Sequence, residues 1–176
     1  MTRAQLEHIL RAAGHIADDT EIIVIGSQAI LGQYPDAPTE LLVSLEADVY
    51  PKNIPARWEL IDGSIGEGSA FHETFGYYAQ GVQEGTAVLP EGWKERLVPV
   101  RNANTRGITG WCLEPHDLIL SKYVAGRDKD RRFARDALHF GLVGREELEL
   151  RSGSLPVDAE QVRRIRESIR FDARGP

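Results

Sequence analysis

Residues 21–50, EIIVIGSQAILGQYPDAPTELLVSLEADVY, constrain this chain more than any other stretch. A short apolar run, residues 22–25, stops at Gly26-Ser27, and a helix-compatible stretch, residues 28–31, follows. A polar, Pro-containing loop then leads to a second apolar run that carries Glu46 and Asp48. Side chains alternate along a strand, so Glu46 and Asp48 share one face, with Leu45, Ala47 and Val49 on the other. Two neighbouring carboxylates repel, and a divalent cation relieves that repulsion. Mg²⁺ prefers oxygen ligands and is usually held by one or two carboxylates together with substrate phosphates. A Gly-Ser turn that opens a helix offers backbone N–H groups to a phosphate. One strand–helix–strand unit thus contains the parts of a nucleoside triphosphate site. Each part also has an ordinary reading: a glycine after a strand often only turns the chain, and an alternating acid pair often marks the solvated face of an antiparallel sheet. The strongly apolar neighbours argue for a central strand, and two acids on one face of a central strand imply a cleft.

These residues carry a resemblance. An apolar strand, Gly26-Ser27, a helix and Glu46-Ala47-Asp48 on the next strand are similar to the signature of the nucleotidyltransferase superfamily that includes DNA polymerase β. The chain resembles bacterial nucleotidyltransferase-like proteins of unknown function and, more loosely, the AbiE-type toxins, over roughly residues 20–140. It departs from the pattern in three ways. The first acid is Glu rather than the usual Asp, the gap between Gly-Ser and the acids is long, and the third carboxylate that many members carry has no place.

A second stretch, Ser121-Lys122-Tyr123-Val124-Ala125-Gly126-Arg127-Asp128-Lys129-Asp130, resembles the Lys…Arg…Asp segment that AbiE-like nucleotidyltransferases place after the core. The resemblance matches Lys122 to the lysine that meets triphosphate oxygens and puts Arg127 and Asp130 in the same cleft. A compact ammonium suits phosphate charge that a cation leaves unneutralised. The alternative is a solvated helix surface with i,i+4 pairing. Lys122 is expected at a surface position that points into the cleft.

The resemblance implies transfer of a nucleoside monophosphate from an NTP to an RNA or protein acceptor. It makes Glu46, Asp48 and Lys122 catalytic, and Glu46 and Asp48 the ligands of Mg²⁺ or Mn²⁺. Gly26, Ser27, Lys122, Arg127 and Asp130 would bind the nucleotide. Implied partners are the NTP, a tRNA or protein acceptor, and a cognate antitoxin or toxin. The competing class is a catalytically silent module of the same fold that binds a partner or a nucleotide. Glu46 in the first acid position and the unplaced third acid favour it.

Composition sets outer bounds. The chain has 176 residues, 41% of them hydrophobic, enough for a real core. No apolar run approaches the ~20 residues that span a bilayer. The N-terminus lacks the apolar segment of a secretory signal. The one cysteine, Cys112, has no partner for a disulfide or a zinc site. A cytoplasmic location is expected. A net charge of −6 argues against a broad non-specific nucleic-acid surface, though not against a local basic groove.

The expected fold is α/β or α+β: a small mixed sheet with helices on one side and a helical C-terminal part. Residues 1–113 would form the core and residues 114–176 a helical region packed on it. Helices are expected over residues 3–17, 26–33 and 54–61, from Pro115 to Val124, through Phe133 to Phe140, and over 157–169. Strands are expected over 21–25, 41–50, 77–82, 86–89, around Leu97 to Val100, and over 111–113. The glycine-dense residues 63–69 would be mobile or ligand-facing. Residues 126–130 would form a charged break between helices. His72 is either a cleft residue or a structural one, and Trp58, Trp93 and Trp111 are assigned to the core.

Overall fold

A computed structural model describes residues 1–174. Helix α1 (Arg3–Ala17) is closed at its start by a capping box, in which Thr2 accepts from the Gln5 N–H and Gln5 answers with its own side chain. Its apolar stripe, Leu6, Ile9, Leu10 and Ala13, is fully buried. Strand β1 (Glu21–Val24) leads through Gly26 into a 3₁₀ turn, Ser27–Ala29, and then helix α2 (Ile30–Gln33). A second 3₁₀ turn, Thr39–Leu41, precedes strand β2 (Glu46–Pro51). Helices α3 (Trp58–Ile65) and α4 (Ala70–Phe75) then lead to strand β3 (Tyr78–Gly81). Strands β4 (Val98–Val100) and β5 (Thr109–Cys112) complete the sheet. The chain finishes in helices α5 (Pro115–Ala125), α6 (Asp128–His139), α7 (Arg145–Arg151) and α8 (Ala159–Asp172).

The five strands form one mixed sheet in the order β3-β2-β1-β5-β4. Strand β1 sits at its centre, antiparallel to β2 and parallel to β5. Strand β2 runs parallel to β3, and β4 antiparallel to β5. Register puts Ile22, Val24, Ala47, Val49 and Gly110 on one face, and α1 and α3 cover it. The fit is close enough to demand glycine. A Cβ on Gly110 would lie 2.4 Å from Leu10 Cδ1, and one on Gly81 would lie 2.2 Å from the Trp58 carbonyl oxygen. The opposite face of β2 carries Glu46, Asp48 and Tyr50. One apolar cluster runs from Leu6 and Ile22 through Leu118 and Ile119 of α5 to Ile165 and Ile169 of α8.

The mixed sheet and flanking helices are those the sequence implies, but several boundaries differ. The second strand begins at Glu46 rather than 41, because β1 and β3 are each only four residues long and offer no earlier partner. Val43 and Leu45, part of the expected strand, are exposed. Residues 86–89 form no strand. A 3₁₀ turn, Glu84–Thr86, takes the chain off the sheet edge instead. The glycine-dense segment begins as helix and continues as a turn over residues 66–69. Helix α3 runs through Gly63 to Ile65, and Ser69 caps the unexpected α4 by accepting from the His72 N–H. The charged break shrinks to Gly126 and Arg127, because Gly126 at φ +66 ends α5 and α6 starts at once. Helix α7 was hidden in a charged tract whose only buried helical residue is Leu148.

Candidate functional site

The site starts at the end of β1. Pairing with β2 continues one step beyond the strand, with the Ile25 N–H donating to the Asp48 carbonyl at 3.0 Å. That step brings Gly26 against the Asp48 side chain. A Cβ on Gly26 would lie 1.7 Å from Asp48 Oδ2 and 2.6 Å from its Cγ. Gly26 has φ −82, which any residue adopts, so the close approach and not the backbone angle requires glycine here. Ser27 then opens the 3₁₀ turn, which closes when the Ala29 N–H reaches the Gly26 carbonyl at 2.9 Å.

Glu46 and Asp48 project from the same face of β2, and both are half-buried. The Tyr78 hydroxyl, in register on β3, donates to Glu46 Oε2 at 3.1 Å. Burial, and then the charge of Glu46, push the Asp48 carboxyl above the usual carboxylate range. Lys122, Lys129 and Arg127 pull it partly back. The acid pair is therefore an electrostatic cost that nearby cations offset only in part.

The facing wall comes from the α5–α6 corner. Glu114 caps α5 and Pro115 fills its first turn, which sets the helix that carries Lys122. Lys122 Nζ lies 3.2 Å from Asp130 Oδ1 and 5.6 Å from the centre of the Phe133 ring. Arg127 Nε donates to Asp130 Oδ2 at 2.5 Å. Burial opposes ionisation of Asp130, which is 1% exposed. The Arg127 hydrogen bond and the Lys122 charge prevail and hold its carboxyl below the usual range. Lys122 is not a surface residue: its side chain is 11% exposed.

Gly26, Ser27, Glu46, Asp48, Lys122, Arg127 and Asp130 all line one cleft of about 1100 Å³. Leu41, Val43, Ala87 and Val88 form its apolar lip. Lys129 and Arg132, which the sequence pattern alone does not single out, line it too. Their signal was present: positions 129, 132 and 136 fall on one helical face once α6 starts at Asp128. Treating residues 126–130 as a break concealed it. The sequence places Tyr78 in a strand without giving it a role, and its contact with Glu46 follows from the β2–β3 register. His72 packs on the Tyr78 ring at 4.6 Å between centroids. The three tryptophans pack against the core. Cys112 is fully buried, which pushes its thiol up to about 12.

The donor set fits a hard divalent cation in kind, with two carboxylates on one strand face lining the cleft. Among the described residues no cluster of three or more His, Cys, Asp or Glu side chains is arranged to hold a metal alone. A cation here would therefore need further oxygens from substrate or water. No helix among the described residues is long and apolar enough to cross a membrane.

No curated protein and no solved structure matches the chain. Residues 4–165 match a family described as nucleotidyltransferases of unknown function (DUF6036), a span that takes in both the Gly26–Asp48 unit and the Lys122–Asp130 wall, and the chain belongs to that family.

Proposed function

We propose that the cleft binds a nucleoside triphosphate with Mg²⁺ or Mn²⁺ and that the protein transfers the nucleoside monophosphate to an RNA or protein acceptor. In that reaction an acceptor hydroxyl oxygen bonds to the α-phosphorus, the bond from that phosphorus to the bridging oxygen of the β-phosphate breaks, and pyrophosphate leaves. The observation that carries the reading is the opposition of charge across one cleft. Glu46 and Asp48 stand on the sheet side, and Lys122, Arg127, Lys129 and Arg132 outnumber Asp130 and Asp136 on the helical side. Glu46 and Asp48 would hold the cation through hard oxygen donors. When bound, it would neutralise phosphate charge and lower the pKa of the attacking hydroxyl.

The remaining roles belong to the chain itself. Ser27 would meet a phosphate oxygen with its hydroxyl, and Gly26 would let Asp48 lie beside that contact. Lys122 would face the charge that builds on the leaving pyrophosphate. Asp130 would not touch substrate. It anchors Lys122 and Arg127 on one buried carboxylate and so sets where their charge sits. Lys129 would add charge to the same wall, and among the described residues no carboxylate anchors it. The likeness to AbiE-type toxins extends the proposal to a role in a toxin–antitoxin pair, with a cognate partner.

The test is a melting curve in EDTA, in Mg²⁺ alone, and in Mg²⁺ with each of the four NTPs. A ligand at about 100 times its Kd stabilises by ~2.7 kcal/mol. For a chain of this size that is a shift of roughly 5–11 °C. A shift that needs both metal and nucleotide supports the proposal, and no shift with any NTP sinks it. Labelled NTP offered with total RNA and with total protein then identifies the acceptor. The second reading, a silent binding module, is favoured by one observation: among the described residues no cluster of three or more His, Cys, Asp or Glu side chains could hold a metal alone. It predicts nucleotide stabilisation indifferent to Mg²⁺, or none.

A further inference from the structure

Glu46 has one more rotatable bond than Asp48, so fixing its carboxylate costs more conformational entropy. The structure provides a restraint for it. Tyr78 on the adjoining strand is in register with Glu46, and its hydroxyl donates to Oε2 at 3.1 Å. Glu46 Oε1 makes no hydrogen bond among the described residues, and Glu46 lines the cleft. Tyr78 is itself 9% exposed and held from behind. The His72 ring packs on it at 4.6 Å with the planes tilted by 47°. His72 is fixed in turn, because its Nδ1 accepts from the Gly68 N–H at 3.0 Å and its backbone N–H donates to Ser69 Oγ at 3.2 Å. Gly68 reaches that position at φ +75, in the left-handed region that favours glycine. A continuous line of contacts therefore runs from the glycine-dense turn to the first acid of the cleft.

We propose that Tyr78 is a positioning residue for the metal site: its hydroxyl holds the Glu46 carboxylate in the orientation that receives a divalent cation, and His72, braced by the Gly68 turn, holds the Tyr78 ring. This rests on the reading of Glu46 and Asp48 as metal ligands. Residues that orient a metal-binding carboxylate through a hydrogen bond commonly matter 10–100-fold for metal affinity. Tyr78 acts on one of two ligands, through one bond, so the lower end applies.

The experiment is titration of Mn²⁺ alone into the full chain, with free Mn²⁺ followed by electron paramagnetic resonance. Wild type, Tyr78→Phe, Glu46→Gln and the double variant form a cycle. Tyr78→Phe keeps the ring and its packing, so it should fold, melt in EDTA close to wild type, and bind Mn²⁺ about tenfold more weakly. Glu46→Gln should weaken binding further, and adding Tyr78→Phe to it should change nothing more. That non-additivity is the readout a merely structural tyrosine would not produce. His72→Ala, which leaves Tyr78 in place, should weaken binding in the same direction by less, and it carries the test if Tyr78→Phe does not fold. If wild type binds Mn²⁺ and both variants bind it equally well, the positioning role is overturned while the metal site stands. If the two effects add, the hydroxyl acts other than through Glu46 and the proposal also falls. If wild type binds no Mn²⁺, the metal site is overturned and this inference with it.

Discussion

Removing the Asp130 carboxylate tests the helical wall of the cleft directly. Asp130 is 1% exposed and joins Lys122 on α5 to Arg127 at the corner. The two contacts differ in worth. Lys122 is 11% exposed, so Asp130→Ala would strand a nearly buried ammonium, and breaking such a pair costs about 3–5 kcal/mol. Arg127 is 61% exposed and would regain water, so its share is at most ~1 kcal/mol. Taking about 3 kcal/mol in all, because Lys122 keeps some solvent and the Phe133 ring, the melting temperature should fall by roughly 6–12 °C. Lys122→Ala should cost less, because Asp130 would keep Arg127. The pH dependence has a definite sign. The folded carboxyl lies below its ordinary 3.8, so its stabilisation is present above that pH and is lost as pH falls through the lower folded value. The gap between wild type and Asp130→Ala should therefore be constant near neutrality and narrow below about pH 4. Calorimetric melts of the three proteins at neutral pH and down an acid series make the comparison. If Asp130→Ala melts within 2 °C of wild type (less than about 1 kcal/mol), or if Lys122→Ala is the more damaging, Asp130 does not anchor the wall.

Three other substitutions probe the acidic side. Asp48→Asn should melt higher than wild type at neutral pH in EDTA, because burial and Glu46 disfavour the ionised carboxyl; a carboxyl raised in this way contributes stability below 3.8 that is lost as pH rises through its folded value, so the difference should vanish in acid, and a lower melt at neutral pH would refute it. Gly26→Ala should displace the Asp48 side chain, lowering both stability and metal-dependent nucleotide binding; Gly26→Ala with Asp48→Ala should recover part of the stability and none of the binding, and equal melts of the two proteins would refute the clash. Gln28 is fully buried and neither amide atom finds a partner among the described residues, so Gln28→Met should raise stability by about 1–2 kcal/mol in denaturant unfolding, and a loss would mean the amide makes a contact in solution.

The parts of the fold legible in the sequence are those set by local chemistry. Helix α1 shows its period, β1 its apolar run, and α5 its Pro115 start. The illegible parts depend on partners distant in sequence. Strand β2 begins at Glu46 because its neighbours are short, which nothing in residues 41–45 announces. The same division runs through the site. The alternation that puts Glu46 and Asp48 on one face is local and readable, and so is the glycine before Ser27. The reason for that glycine, Asp48 Oδ2 occupying the place of its missing Cβ, appears only when β1 and β2 pair. Lys122 illustrates the limit best. Its charge suggested a surface position, yet a carboxylate eight residues later, across the Gly126 turn, lets the chain bury it. Asp130 thus lowers the cost of burying the lysine and limits where its ammonium can go. Asp48 forms no ion pair among the described residues and is offset only in part by Lys122, Lys129 and Arg127, so a cleft whose acidic side keeps this unrelieved cost favours a cation on the sheet side first. The order of binding expected from this is metal, or metal with nucleotide, before nucleotide alone. Nucleotide affinity should rise with Mg²⁺ in wild type, and that rise should disappear in Asp48→Asn. Nucleotide binding equally strong in EDTA and in Mg²⁺ would show instead that the cationic wall works without the acids.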